Sequence, residues 1–391
     1  MSQSAHPPLN PFVTALAAPP ISTVQGWGKA YAGARGPLID LSQAVPGYPP
    51  HDDLLALLGK SASSKAYASY GPNEGEMSLR MAYAAECSAT YGAKISAENI
   101  NITAGCNQAF VCAAMLVAGA GNAILMTNPG YFNHETTLAM MGIRVDRVSC
   151  AAENGFLPTL DAIAAAITPT TKALALVSPN NPTGAVYPAK LLADVLDLCR
   201  AKNIWLILDE TYRDFLDKSE LHSLFSQVNW QDNLIGLYSF SKSFCIPGHR
   251  LGAVIAAPAL ITEIAKIMDN LQICPPRSAQ AAIAQAIPLL TDWRESNRTE
   301  ITNRQIALRQ IMATLPQLSL ATCGAYFAFI GHGCANESSE SVAKRLAFDY
   351  GVLALPGAYF GEGLDGYLRF AFANADVATI NSLAPRLANF R

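Results

Sequence analysis

Charge is scarce in this 391-residue chain. Asp, Glu, Lys and Arg supply 15% of the residues against 51% hydrophobic ones, and the net charge is −3. No block of Lys and Arg occurs, which argues against nucleic acid or an anionic membrane as partner. A small anionic substrate stays open, because it needs only one or two local arginines. So little charge beside so much apolar sequence also argues against extensive disorder. None of the nine cysteines forms a C-x-x-C pair, so the zinc and thioredoxin readings fail on spacing. An odd, scattered set fits reduced thiols in a cytoplasmic protein. His134-Glu135 begins like H-E-x-x-H, but Leu138 stands where the second His belongs, and no metal site is read. The first Lys or Arg is Lys29, so no basic segment precedes an apolar run and a signal peptide is not expected.

Between Glu98 and Glu135 no charged residue occurs, and 109–126 is almost wholly apolar. That length would permit a membrane span. Gly119-Ala-Gly121-Asn122 interrupts it, so a buried helix, a turn and a buried strand are expected instead.

The opening 50 residues are rich in Pro and Gly and read as an arm with a short strand at 38–41. A helix is expected from 76 to Gly92, which sits where a C-terminal capping glycine would. Strands are expected at 99–103, 123–127, 144–148, 173–177, 204–208, 234–239 and 251–256. Helices at 106–117, 132–141, 160–167 and 188–201 lie between them. Short continuous apolar strands alternating with helices predict an α/β fold with a mostly parallel sheet covered on both faces. This large domain is expected over 51–277. The remainder, 278–391, is expected to form a smaller α+β domain with a long helix near 278–314 and strands near 326–330 and 367–372, joined by the 1–50 arm.

Ligands of an open parallel sheet bind beyond the carboxyl ends of its strands. The residues there are Ala104-Gly105-Cys106-Asn107, Asn181-Pro-Thr-Gly184, Asp209-x-x-Tyr212 and Ser239-x-Ser241-Lys242, with Arg250 eight residues on. Each has an ordinary reading taken singly: Asn-Pro marks turns, Asp after a strand caps helices, and a lone Lys is usually a solvated charge. Together they place an amide, a carboxylate, a phenol, hydroxyls and an amine on one edge.

These motifs, in this order and spacing, resemble the class I/II aminotransferases, pyridoxal 5′-phosphate (PLP) enzymes of fold type I, from about Tyr70 to Arg369. The resemblance implies that Lys242 carries the cofactor as an internal aldimine and moves protons as base and acid. Asp209 would keep the pyridine nitrogen protonated. Tyr212 and Asn181 would donate to the ring oxygen, and Tyr131 would stack on the ring. Ser239, Ser241, Arg250 and the N–H groups of Gly105, Cys106 and Asn107 would hold the phosphate. Tyr70 would reach the phosphate of a neighbouring subunit, implying a homodimer with shared sites. Arg369, inside an apolar strand, would clamp the substrate α-carboxylate, with Asn181 and the backbone at Ala44 beside it. The family often has Gly where Ala44 stands. Aspartate-specific members carry a further Arg where Asp269 falls here; Arg277 is the nearby cation.

The implied activity is transfer of the amino group of an L-amino acid to a 2-oxo acid. A PLP-dependent C–S β-lyase, or another carbanionic amino-acid enzyme, would share Lys242, Asp209 and Arg250. Other classes fare worse. Ser239-x-x-Lys242 fits a serine β-lactamase pattern, but no K-T-G accompanies it. A nicotinamide dehydrogenase needs G-x-G-x-x-G after its first strand, and Gly119-Ala-Gly121 lacks the third glycine and precedes a strand. A non-catalytic regulator would need a DNA-binding domain, for which no chain is left.

Overall fold

The computed structural model describes residues 7–391. Among the described residues thirteen strands are present: β1 (Ile39–Asp40), β2 (Ile100–Thr103), β3 (Ala123–Asn128), β4 (Arg144–Ser149), β5 (Thr171–Val177), β6 (Trp205–Asp209), β7 (Leu234–Ser239), β8 (Gly252–Ile255), β9 (Ser319–Gly324), β10 (Phe327–Gly331), β11 (Val352–Leu353), β12 (Leu355–Pro356) and β13 (Tyr367–Phe370). Seven form one sheet in the order β2-β8-β7-β6-β5-β3-β4. Only β8 runs against its neighbours. That reversal places the start of β8 on the edge where the other strands end, and Arg250 stands just before it.

Successive side chains of a strand point to opposite faces. Accordingly Leu206 and Leu208 of β6 pack with helices Asp52–Ala62, Met77–Tyr91, Ala189–Ala201 and Arg277–Leu289. Ile207 packs on the other face, with helices Cys106–Val117 and Pro258–Leu271. Each such leucine, fully buried, contributes about 2 kcal/mol. Gly92 ends the second of these helices with φ 60°, as a left-handed cap does. The uncharged 109–126 stretch is the end of helix Cys106–Val117, a turn, and β3. Among the described residues no helix is long and apolar enough to cross a membrane.

A four-stranded antiparallel sheet, β12-β13-β10-β9, forms a second layer against helix Thr291–Ala313, and β1 pairs in parallel with β11. The single long helix expected near 278–314 is two helices, Arg277–Leu289 and Thr291–Ala313. Pro288, inside the first helix, removes one N–H from its ladder, and the break itself falls at Leu290, which leaves helical geometry at φ −106° and ψ 24°. Among the described residues three α-helices begin on proline, Pro11–Thr14, Pro20–Gly28 and Pro258–Leu271; proline's fixed φ suits the first helical position. Neither these helices nor β9 stood out in the sequence pattern.

Gly184, at φ +73°, carries the turn after β5 against the smaller sheet. A Cβ there would press on the Phe327 carbonyl oxygen and lie 2.6 Å from the Gly324 nitrogen. Gly184→Ala is therefore expected to cost about 1–3 kcal/mol or more, from backbone strain and the clash together. Thermal unfolding of the variant checks this, and an unchanged midpoint would contradict it.

Candidate active site

The polar residues at the strand ends meet in one cavity of about 510 Å³. Lys242, Asp209, Tyr212, Asn181, Arg250 and Arg369 line it. So do Ala44, Cys106, Asn107, Tyr131, Ser239 and Ser241.

Asp209 ends β6 and is buried. Its Oδ1 accepts from the Thr211 backbone N–H at 2.9 Å and hydroxyl at 2.7 Å. Its Oδ2 lies 3.3 Å from Nε2 of His134. Burial alone would push the carboxyl up. His134 and the two bonds from Thr211 outweigh burial and hold it below its ordinary value. The His134 ring is stacked on Phe110 at 3.8 Å and meets Tyr131 edge-on at 5.1 Å. In the sequence His134 shows only as half of a metal motif. The available signal was its place one helical turn after Tyr131, on helix Phe132–Met140.

Lys242 lies in the one-turn helix Phe240–Ser243 after β7. Its amine donates to the Ala44 carbonyl oxygen. Burial, then Arg250 and Arg369, push it down to about 8. Asp209 is thus held charged and Lys242 made easier to deprotonate in one cavity, which suits proton transfer.

Arg369 is buried in β13. It donates to the Ser42 carbonyl oxygen and, over 3.1 Å, to Oδ1 of Asn181. That second bond leaves the Asn181 amide hydrogens free to donate elsewhere. The Arg369 Nε has no hydrogen-bond partner among the described residues. Burial pushes its guanidinium down to about 10, against the pull of Tyr212, Tyr131 and Asp40. Tyr212 is wedged between the two layers, its ring edge-on to Phe327 at 5.0 Å. Burial raises its phenol well above the ordinary value.

Arg250 has a left-handed φ of 51° and donates to the Pro247 carbonyl oxygen at 2.9 Å. Gly105, at φ +85°, lets the guanidinium approach: a Cβ there would overlap it. Cys106 and Asn107 open the helix Cys106–Val117 behind Gly105. Burial, then Asp209, raise the Cys106 thiol well above its ordinary range. The Ser241 hydroxyl is buried with no hydrogen-bond partner among the described residues. The Tyr131 hydroxyl accepts from Nδ2 of Asn133 at 2.9 Å.

Tyr70 is not among the cavity's lining residues and is 77% exposed. Arg277 pairs with Glu76 at 2.5 Å and donates to the Ser69 carbonyl oxygen at 2.9 Å. Ile21, Gln43, Phe132 and Asn133 also line the cavity, and no motif of the sequence marks Ile21 or Gln43 for it.

A family model described as "Aminotransferase class I and II" matches residues 37–387. The aromatic aminotransferase ISS1 of Arabidopsis thaliana is 28% identical over 356 residues, covering 89% of this chain and 88% of that protein. The arginine–pyruvate transaminase AruH of Pseudomonas aeruginosa is 30% identical over 305 residues, 77% of each chain. A single mutant of Thermus thermophilus aspartate aminotransferase superposes with a TM-score of 0.90 at 24% identity, covering 98% of this chain and 99% of the other.

The Lys242 amine titrates near 8 when folded, against an ordinary value of 10.5. The unfolded chain therefore holds a proton between those values that the folded chain has shed. The penalty for burying Lys242 is complete below the lower value and gone above the upper. Lys242→Met is expected to stabilise the cofactor-free protein by about 2 kcal/mol at roughly neutral pH. The advantage should close as pH rises through that window. Denaturant titrations on either side of it check this; a pH-independent difference would contradict it.

Proposed function

Since the chain belongs to the aminotransferase class I and II family, we propose that this cavity holds PLP on Lys242 and moves the amino group of an L-amino acid to a 2-oxo acid. One observation carries the reading: a deprotonatable lysine, a charged buried carboxylate and a buried arginine lacking a carboxylate partner share one cavity. The orphaned Ser241 hydroxyl and Arg369 Nε fit the group, because each would gain an anionic oxygen as partner.

PLP, when bound, supplies an aldehyde for the lysine and a pyridinium ring that accepts electron density from the substrate Cα. Asp209, backed by His134 and Thr211, holds the proton on the ring nitrogen. Asn181 and Tyr212 would donate to the ring oxygen, and Tyr131 would pack against the ring. Arg250, Ser239, Ser241 and the N–H groups of Gly105, Cys106 and Asn107 hold the phosphate. Arg369 grips the substrate α-carboxylate and fixes which Cα bond meets the Lys242 amine. That amine would take the Cα proton as a base and give it up again as an acid. The Ala44 carbonyl oxygen keeps the amine in place until then.

The same reading makes the protein a homodimer in which Tyr70 serves the neighbour's phosphate. Its support is the exposure of Tyr70, together with Leu55, Met77 and Met81. A cytoplasmic location fits nine free cysteines. The division proposed is an N-terminal arm up to residue 50, a cofactor-holding unit over 51–277 and a smaller unit over 278–391; the packing of helix Arg277–Leu289 on the core of the larger sheet would move that last boundary to near Leu290.

An L-amino acid added alone should abolish the visible absorbance of the PLP-bound protein, and a 2-oxo acid should restore it without release of ammonia. Sustained ammonia release with no bleaching would contradict transamination and favour a lyase. Arg369→Leu should raise KM and lower kcat/KM by about 3 kcal/mol while PLP binding persists. Unchanged steady-state constants would remove Arg369 from the substrate site.

A further inference from the structure

The cavity's formal charges leave no partner for a charged substrate side chain. Its lining contains three cations, Lys242, Arg250 and Arg369, and one anion, Asp209. On the reading above, Asp209 is matched by the ring nitrogen, Arg250 by the phosphate and Arg369 by the α-carboxylate. The Lys242 amine is consumed in holding the cofactor and moving the proton.

The polar lining that remains is made of amides. Gln43 Oε1 accepts from Gln25 Nε2 at 3.1 Å, so its own amide hydrogens are left to donate. Gln25 lies on helix Pro20–Gly28, which also brings Ile21 to the cavity. Asn133 is held by its bond to Tyr131, which leaves its Oδ1 to accept. Phe132 and Pro247 add apolar wall. A neighbouring subunit does not alter the count through Tyr70, which is an uncharged phenol. Arg277, bonded to the Tyr70 carbonyl oxygen at 3.3 Å, is already paired with Glu76.

We propose that the amino donor is an α-amino acid with an uncharged side chain, apolar or amide-bearing, and that acidic and basic side chains are rejected. This rests on the transaminase reading of the same site. A second carboxylate or ammonium would give up water beside the buried Phe132 and the half-buried Ile21 and Pro247 with only amides to meet it, and a charge without a counter-charge is disfavoured there.

The test uses the PLP-bound protein and single half-reactions with alanine, leucine, phenylalanine and glutamine against aspartate, glutamate, lysine and arginine. The best neutral donor is expected to exceed every charged one by about 100-fold or more in kcat/KM. Calorimetric titration with butanoate and succinate, which do not react, reads the same subsite without turnover. Succinate should bind at least about 10-fold more weakly than butanoate. A charged amino acid within a few-fold of the best neutral donor, or succinate binding as tightly as butanoate, would overturn the inference while leaving transamination intact. Bleaching by no amino acid at all would instead overturn the transaminase reading beneath it.

Discussion

Arg369 stands in β13 with its guanidinium buried, one nitrogen donating to the Ser42 carbonyl and another to the Asn181 side chain. Among the described residues no carboxylate lies within ion-pair distance of it. These contacts tie the smaller sheet to the arm and to the end of β5. The rings of Phe327 and Phe360, at 5.0 and 5.3 Å, return some of the lost solvation. A buried cation without an anion costs several kcal/mol, so the fold holds at this point a group that an anionic ligand completes. The two layers and the arm are thus coupled through one side chain, which on the proposed reading would also take the substrate carboxylate.

Opposed electrostatic environments on adjoining strand ends do the rest. Asp209 ends β6 and Lys242 follows the neighbouring β7, yet one is held charged by donors and the other has its proton loosened by burial and two arginines. The segments bearing them are anchored from behind. Arg294 donates to Ser243, next to Lys242, at 2.8 Å, and pairs with Glu86 and Asp214. Tyr91 bridges Arg213 and Glu210. Residues of 209–214 therefore divide between the cavity and this buried network. Such backing fixes the reacting groups on rigid elements.

Much of this was legible from local pattern. Short apolar runs ending in Asp209, Asn181 and Lys242 marked strand ends, and an open sheet gathers strand ends on one edge. The reversal of β8 was not legible, because Gly252–Ile255 is as apolar as the parallel strands beside it; only its pairing shows why Arg250 shares their edge. His134 was opaque for a different reason. Its role depends on Phe110 and Asp209, far away in sequence, whereas its local company suggested a metal. Pro288 carried a readable sign that one long helix could not continue, and the periodic residues on either side concealed it. The Gln25–Gln43 pair and the capture of Arg277 by Glu76 are tertiary facts without a sequence signature.

The account stands on Lys242 as the residue that holds the cofactor. Borohydride reduction of the PLP-bound protein, followed by peptide mapping, tests this directly. The pyridoxyl group is expected on Lys242 and, in the Lys242→Met protein, on no residue. An adduct on any other lysine of the native protein would contradict the assignment, and with it the roles given to Asp209, Arg250 and Arg369.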